Sequence, residues 1–151
     1  MNQTAQYATF HVAELFFGIG VLSVQEVLRF QEMTCVPMAP DVIEGLINLR
    51  GQIVTAIDMR RRLSLPPRAQ GVQPMNMVVR TEESAVSLLV DEIGDVLDVE
   101  TSAFEPPPDN LAPAARELIQ GVCKLPGRLL LVLNTEKALE LSPGRQVRKV
   151  G

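Results

Sequence analysis

The sequence predicts an all-β protein on three observations. Apolar residues recur mostly with a period of two, turn residues cut the chain into short segments, and long amphipathic helical stretches are absent. About nine or ten short strands with two short helices suit a sandwich or small barrels, and exclude βαβ units and the parallel sheets they build. The 151 residues amount to one ordinary domain or two very small ones, and an apolar fraction of 46% suffices for a real core.

In YATFHVAE, Ala8, Phe10 and Val12 alternate with Thr9, His11 and Ala13, the pattern of a half-buried strand, and LFFGIG completes a hairpin over residues 6–21. VQEVLRF (24–30) alternates too, with Val24, Glu26, Leu28 and Phe30 on one side and Gln25, Val27 and Arg29 on the other. TCVPM (34–38) is extended and ends among prolines. PDVIEGLIN predicts one or two helical turns, capped by Asp41 and stopped by Gly45. A tight turn at Asn48–Gly51 then enters QIVTAIDM (52–59), a strand rich in β-branched residues. RRRLSLPP leads into a loop, 64–75, whose Pro66, Pro67, Gly71 and Pro74 make it the expected boundary between two halves.

MNMVVRT (75–81), SAVSLLVDEI (84–93) and GDVLDVE (94–100) are extended, whereas EPPPDNLAPA (105–114) is too proline-rich for either regular element. LIQGVCKL, the Pro126–Gly127 turn and RLLLVLN (128–134) form a hairpin. TEKALEL closes the fold as a short helix capped by Asn134 or Thr135. Residues 1–142 are therefore read as one domain built of two halves, with 143–151 a flexible tail.

A net charge of −4 argues against a nucleic-acid binder, which needs a basic face to displace phosphate counterions. The local exceptions, Arg60–Arg61–Arg62 and the tail's Arg145, Arg148 and Lys149, read as solvated charge. No apolar run approaches the roughly 18 residues of a membrane span. The start, MNQTAQYATF, carries no secretory pattern, so a cytoplasmic protein is expected. Cys35 and Cys123 fit no metal or redox spacing and are expected as two small buried hydrophobes.

Catalytic constellations are thin. His11 is the lone histidine and has no nucleophile tied to it, so neither a catalytic triad nor a metal site is expected. Asp91, Glu92, Asp95, Asp98 and Glu100 crowd into ten residues, which admits a small carboxylate-based hydrolase. The spacing matches no calcium loop, Asp95 beside Gly94 resembles turn chemistry, and a solvated acidic strand edge is the simpler account. Gly18–Ile19–Gly20 lacks the third glycine and the following helix of a phosphate loop. A chain with no catalytic constellation reads best as a binding or scaffolding module with no cofactor.

GLINLRGQIVTAIDMRRRLSLP (45–66) resembles the signature of the CheW family, the adaptors of bacterial chemotaxis. The likeness extends in order through ELFFGIGVLSVQEVLRF, VPMAPDVIEG, SLLVDEIGDVLDV and IQGVCKLPGRLLLVLNTEKAL, over roughly residues 7–140. It implies two five-stranded, SH3-like β-barrel subdomains packed on a shared apolar seam, with one or two short helices. It also implies a non-enzymatic adaptor that joins the helical hairpin at a chemoreceptor's cytoplasmic tip to the regulatory domain of the histidine kinase CheA. Such an adaptor works at membrane-associated receptor arrays without entering the bilayer. A paralogue serving pili, gliding or second-messenger control is the alternative.

By the same resemblance Arg50 lies near Glu26, beside a groove that takes the receptor hairpin, and a guanidinium fork suits that carboxylate. Asn48 offers amide groups and Gly51 shapes the turn. Val27, Leu28, Ile47, Val96 and Val99 are candidates for the apolar lining, with Val27 foremost as the apolar residue on the polar side of its strand. The kinase contact is expected on second-barrel surface around 84–104. One departure is noted: the family commonly carries proline at Thr55 and a larger aliphatic at Ala56, and Thr55 restores a backbone N–H to what is expected to be a strand edge.

Overall fold

The structure, a computed structural model, describes residues 4–82 and 85–139. Eleven strands and three short α-helices are present among them. Strands β1 (Thr4–Val12) and β2 (Leu15–Gly20) form the expected hairpin, and a 3-10 turn at Val21–Ser23 leads to β3 (Val24–Leu28). β4 (Ile43–Leu49), β5 (Gln52–Asp58), helix α1 (Met59–Arg62), β6 (Met75–Arg80), β7 (Ala85–Val90) and β8 (Glu92–Glu100) follow. After a second 3-10 turn come β9 (Phe104–Glu105), α2 (Pro113–Leu118), β10 (Ile119–Leu125), β11 (Arg128–Leu133) and α3 (Thr135–Leu139).

The strands divide into two sheets, ordered β8-β1-β2-β11-β10-β9 and β3-β6-β7-β5-β4. The five-stranded sheet is thus inserted into the sequence of the six-stranded one. The loop 64–75, expected between the halves, instead joins β5 to β6 inside one sheet. Parallel pairs, excluded on sequence grounds, do occur: β2 with β11 and β5 with β7. They need no helical crossover of the βαβ kind, because the partners are joined through other strands.

Period two is real, but its meaning is richer than one wet face and one dry. In β11, Leu131 and Leu133 face the seam between the sheets, while Leu130 and Val132 face the interior of their own sheet with Phe16, Val99 and Cys123. In β6, Met77 and Val79 face the seam, and Val78 joins Ile47, Leu49, Val54 and Ala85 inside the second sheet. Phe10, Phe17, Ile57, Leu88 and Val122 complete the seam from both sides. Each such large side chain removed from water contributes about 1.5–3 kcal/mol before entropy is counted. Leu28 of β3 packs on the same interior cluster as Ile47 of β4, so strands at opposite ends of the five-stranded sheet meet and the sheet is rolled.

Four expectations are corrected. Residues 41–49 do not form a helix; Ile43–Leu49 is strand β4, paired with β5 and bridged on its other edge by Thr34. Gly45 does not stop a helix but lets the chain pass close: a Cβ there would lie 2.8 Å from the Thr34 carbonyl oxygen. Helices α1 and α2 were hidden because four and six residues are too few to show a period. Thr55 is not on an edge, since β5 lies between β7 and β4, and its strand is laddered on both sides. Finally, Cys123 is buried but Cys35 is exposed. The expected tail, 143–151, lies outside the described residues.

Candidate functional site

The β4–β5 hairpin closes through the two-residue turn Arg50–Gly51, with Leu49 opposite Gln52. Both turn residues have positive φ, +51° and +91°. That is the geometry of a type I′ turn, whose twist matches antiparallel strands. Gly51 adopts it freely; an arginine there is strained, and Asn48 Oδ1 steadies the turn by accepting from the Gly51 N–H at 2.8 Å.

From this turn Arg50 reaches to β3, and its Nη2 donates to Glu26 Oε2. The pair connects the edge strand at one end of the rolled sheet to the hairpin at the other. Arg50's side chain is 67% exposed and Glu26's 21%. A pair so open contributes about 0–1 kcal/mol, so it holds the fold only weakly. Val27, beside Glu26, is 40% exposed. Ile53, directly across the hairpin from Asn48, is 56% exposed. Sequence reasoning missed Ile53 because a β-branched residue in a β-branched strand looks like core; only its burial separates it from Val54.

The structure thus brings Glu26 and Arg50 together, with Asn48 in the same turn as Arg50, while Val27 follows Glu26 along β3 and Ile53 lies opposite Asn48. The other named residues lie elsewhere. Ile47 and Val99 are 1% and 4% exposed, inside the two separate sheet interiors, and Val99 reaches only the wall of a pocket it shares with Tyr7, Phe104 and Cys123, away from Arg50. Leu28 packs partly buried against the Ile47 cluster. Val96 is exposed, but on β8, an end strand of the other sheet. The expected kinase-facing stretch 84–104 also narrows. Residue 84 lies outside the described residues and β7 sits mid-sheet between β6 and β5, which leaves β8 and the turn that follows it to Phe104 as the exposed part.

A cleft of about 680 Å3 opens where the two sheets meet, lined by Ser23, Arg80, Thr81, Glu82, Thr135, Glu136 and Leu139. None of the binding-site candidates named from the sequence lines it.

The triple arginine is engaged with the protein, although Arg61 keeps 52% of its side chain in solvent. Arg60 grips Asp91, with Nη2 2.7 Å from Oδ2 and Nε 3.1 Å from both oxygens. Arg61 pairs with Glu44 at 3.2 Å, and Arg62 Nη2 donates to the Lys137 carbonyl at 2.9 Å. Arg68 brings Nε within 2.8 Å of Asp91 Oδ1, a charge contact not aligned as a hydrogen bond, and Nη1 within 3.0 Å of Asp58. Burial tends to raise Asp91's pKa. The Arg60 hydrogen bonds, the Ala13 amide and the charges of Arg68 and Arg60 outweigh it and hold the carboxyl below its ordinary range.

The remaining carboxylates, Glu92, Asp95, Asp98 and Glu100, are exposed along β8, on an end strand where charge blunts unwanted pairing. Among the described residues no three His, Cys, Asp or Glu side chains are grouped to hold a metal ion. No helix among them is long and apolar enough to cross a membrane. His11 tilts against Phe16, ring centroids 4.8 Å apart, and Cys123's thiol is pushed up by burial and then by Glu105's charge.

Comparison with known proteins gives a consistent answer. Residues 6–142 match the model of the CheW-like domain. The chain is 30% identical to the chemotaxis protein CheW of Bacillus subtilis over 124 residues, 82% of this chain and 80% of that one. It is 27% identical to the CheW of Rhizobium meliloti over 135 residues, 89% and 87% of the two chains. It is also 27% identical to protein FrzA of Myxococcus xanthus over 146 residues, 95% and 91%. Among solved structures, the scaffolding protein TtCheW of Thermoanaerobacter tengcongensis superposes with a TM-score of 0.78 at 26% identity, covering 87% of this chain and 90% of that one. Two sheets on an apolar seam carry this match across most of the chain: the chain belongs to the CheW-like domain family.

Proposed function

We propose that this protein is a chemotaxis adaptor that couples the cytoplasmic tip of a chemoreceptor to the histidine kinase CheA. The CheW-like match across residues 6–142 carries this reading. The rim of Glu26, Val27, Asn48, Arg50 and Ile53 is the contact surface. It places an arginine in a strained turn, mostly exposed and barely needed by the fold, beside two exposed branched apolar side chains. Strain kept where packing does not demand it is a mark of use. A helical hairpin presenting apolar residues beside a carboxylate suits such a rim. Val96 and Phe104, on the other sheet, offer separate surface for the kinase's regulatory domain. The protein then acts in the cytoplasm at receptor arrays.

The test is a pull-down of the full chain with a receptor-tip hairpin and a CheA regulatory domain from the same genome. Simultaneous capture of both is expected. Arg50→Glu should stay folded and weaken capture, and where the partner buries the charge the loss is typically about 2–5 kcal/mol. Capture of neither partner would overturn the reading. The similarity to FrzA favours one specific second reading, an adaptor in a different chemosensory system. Binding only to receptors and kinases encoded apart from the chemotaxis set would select it.

A further inference from the structure

We propose that helix α1 is an ionic clasp that fixes how the two sheets sit against each other, through Arg60 on Asp91 and Arg62 on α3. The seam between the sheets is built of apolar faces. Such burial is strong but non-directional. A single orientation needs directional contacts, and guanidinium forks on carboxylate and carbonyl oxygens supply them.

The described chain passes from one sheet to the other at two places, the 3-10 turn at Val21–Ser23 and the lone residue Asp91 between β7 and β8. Asp91 is bound to the first hairpin of the six-stranded sheet: its N–H donates to the His11 carbonyl at 2.9 Å, and its Oδ2 accepts from the Ala13 N–H at 2.6 Å. On its other side stand Arg60 and Arg68, both carried by the segment after β5 of the five-stranded sheet. The three side chains are 10–18% exposed, so their attraction is less screened than at the open surface.

Arg62 makes the second attachment. Its Nη2 bonds the Lys137 carbonyl at 2.9 Å, and α3 follows β11 of the six-stranded sheet with Ala138 buried in the seam. Arg61 points the other way, to Glu44 and Asp58 and to the Asp41 carbonyl, and holds the helix to its own sheet. Four residues thus bind one sheet by their middle arginine and the other by the two that flank it.

The experiment measures the distance distribution between spin labels on Ile53→Cys and Val96→Cys, one on each sheet, in a Cys35→Ser background. A single narrow distribution is expected for the parent chain. Arg60→Lys and Arg62→Ala together, both at the clasp and outside the apolar seam, should broaden or shift it while the far-ultraviolet dichroism of the strands persists. Asp91→Asn should do so further, and if it fails to fold the arginine pair decides. Arg61→Ala, whose contacts stay within one sheet, should leave the distribution as in the parent. An unchanged distribution in the folded Arg60–Arg62 variant would overturn the clasp. So would equal broadening in Arg61→Ala, which would mean that loosening α1 in general is sufficient.

Discussion

Two arginine sites in this molecule look alike in the sequence and behave oppositely in the fold. Arg50 projects from a two-residue turn to meet Glu26 with 67% of its side chain in solvent. Arg60 and Arg68 converge on Asp91 with 18% and 10% of theirs exposed. In the sequence the run at 60–62 reads as solvated charge, and the structure overturns that for Arg60, while Arg50 stays open to solvent beside its turn glycine. The difference teaches that an arginine's role follows from who desolvates it. A cation buried by its own chain must be paired for the fold to stand, whereas one left in water is free to be paired by something else.

The largest effect should come from breaking the buried site. Asp91→Ala leaves Arg60 without its carboxylate and Arg68 with Asp58 alone, and removing one partner of a buried pair typically costs about 3–5 kcal/mol. A denaturant midpoint unmoved by that change would erase the contrast between the two sites. Acid should act in the same direction. Asp91's folded pKa lies below its unfolded value. Its contribution is therefore complete above the unfolded value of about 4 and is lost as pH falls through the folded one. The stability difference between the natural chain and Asp91→Asn should shrink as the pH drops below about 4.

A middle-sized effect is expected away from both sites. In Gly45→Ala the new methyl would press on the Thr34 carbonyl, 2.8 Å from the ideal Cβ, and part the bridge that Thr34 makes with Leu46. Crowding of this kind costs about 1–3 kcal/mol. Loss of amide protection at Thr34 and Leu46 would report it, and retained protection would show that the segment yields without cost.

That position also marks where the sequence stopped being legible. Strands with clear alternation, such as β1 and β3, and the hairpin of β10 with β11 around Pro126–Gly127, could be read directly. β4 could not: Pro40, Asp41 and Gly45 imitate the start and stop of a helix, and what makes the segment a strand is Thr34 and β5 alongside it. The division into sheets was hidden for the same reason, because pairing β2 with β11 joins residues more than a hundred positions apart. The partners of Arg60 and Arg62 lie 31 and 75 residues away. Nothing in local composition points to such partners. The proximity of Arg50 to Glu26 came from resemblance alone, since 24 residues and an unread strand separate them. Ile47 and Val99 failed as surface residues because alternation says that a residue faces one side, not whether a second layer covers that side.

The smallest effect on stability should accompany the sharpest effect on function, and Arg50→Asn is the substitution that separates them. Asparagine followed by glycine is the preferred pair for a type I′ turn, because asparagine tolerates positive φ where arginine is strained. The relief at φ +51° offsets the loss of an open ion pair that contributes about 0–1 kcal/mol. The melting temperature should therefore hold or rise slightly. If Arg50 serves the fold, the melting temperature falls and partner capture follows it down. If Arg50 serves a partner, capture falls while the melting temperature does not, and Arg50→Lys, which keeps the charge but not the fork, restores only part of it.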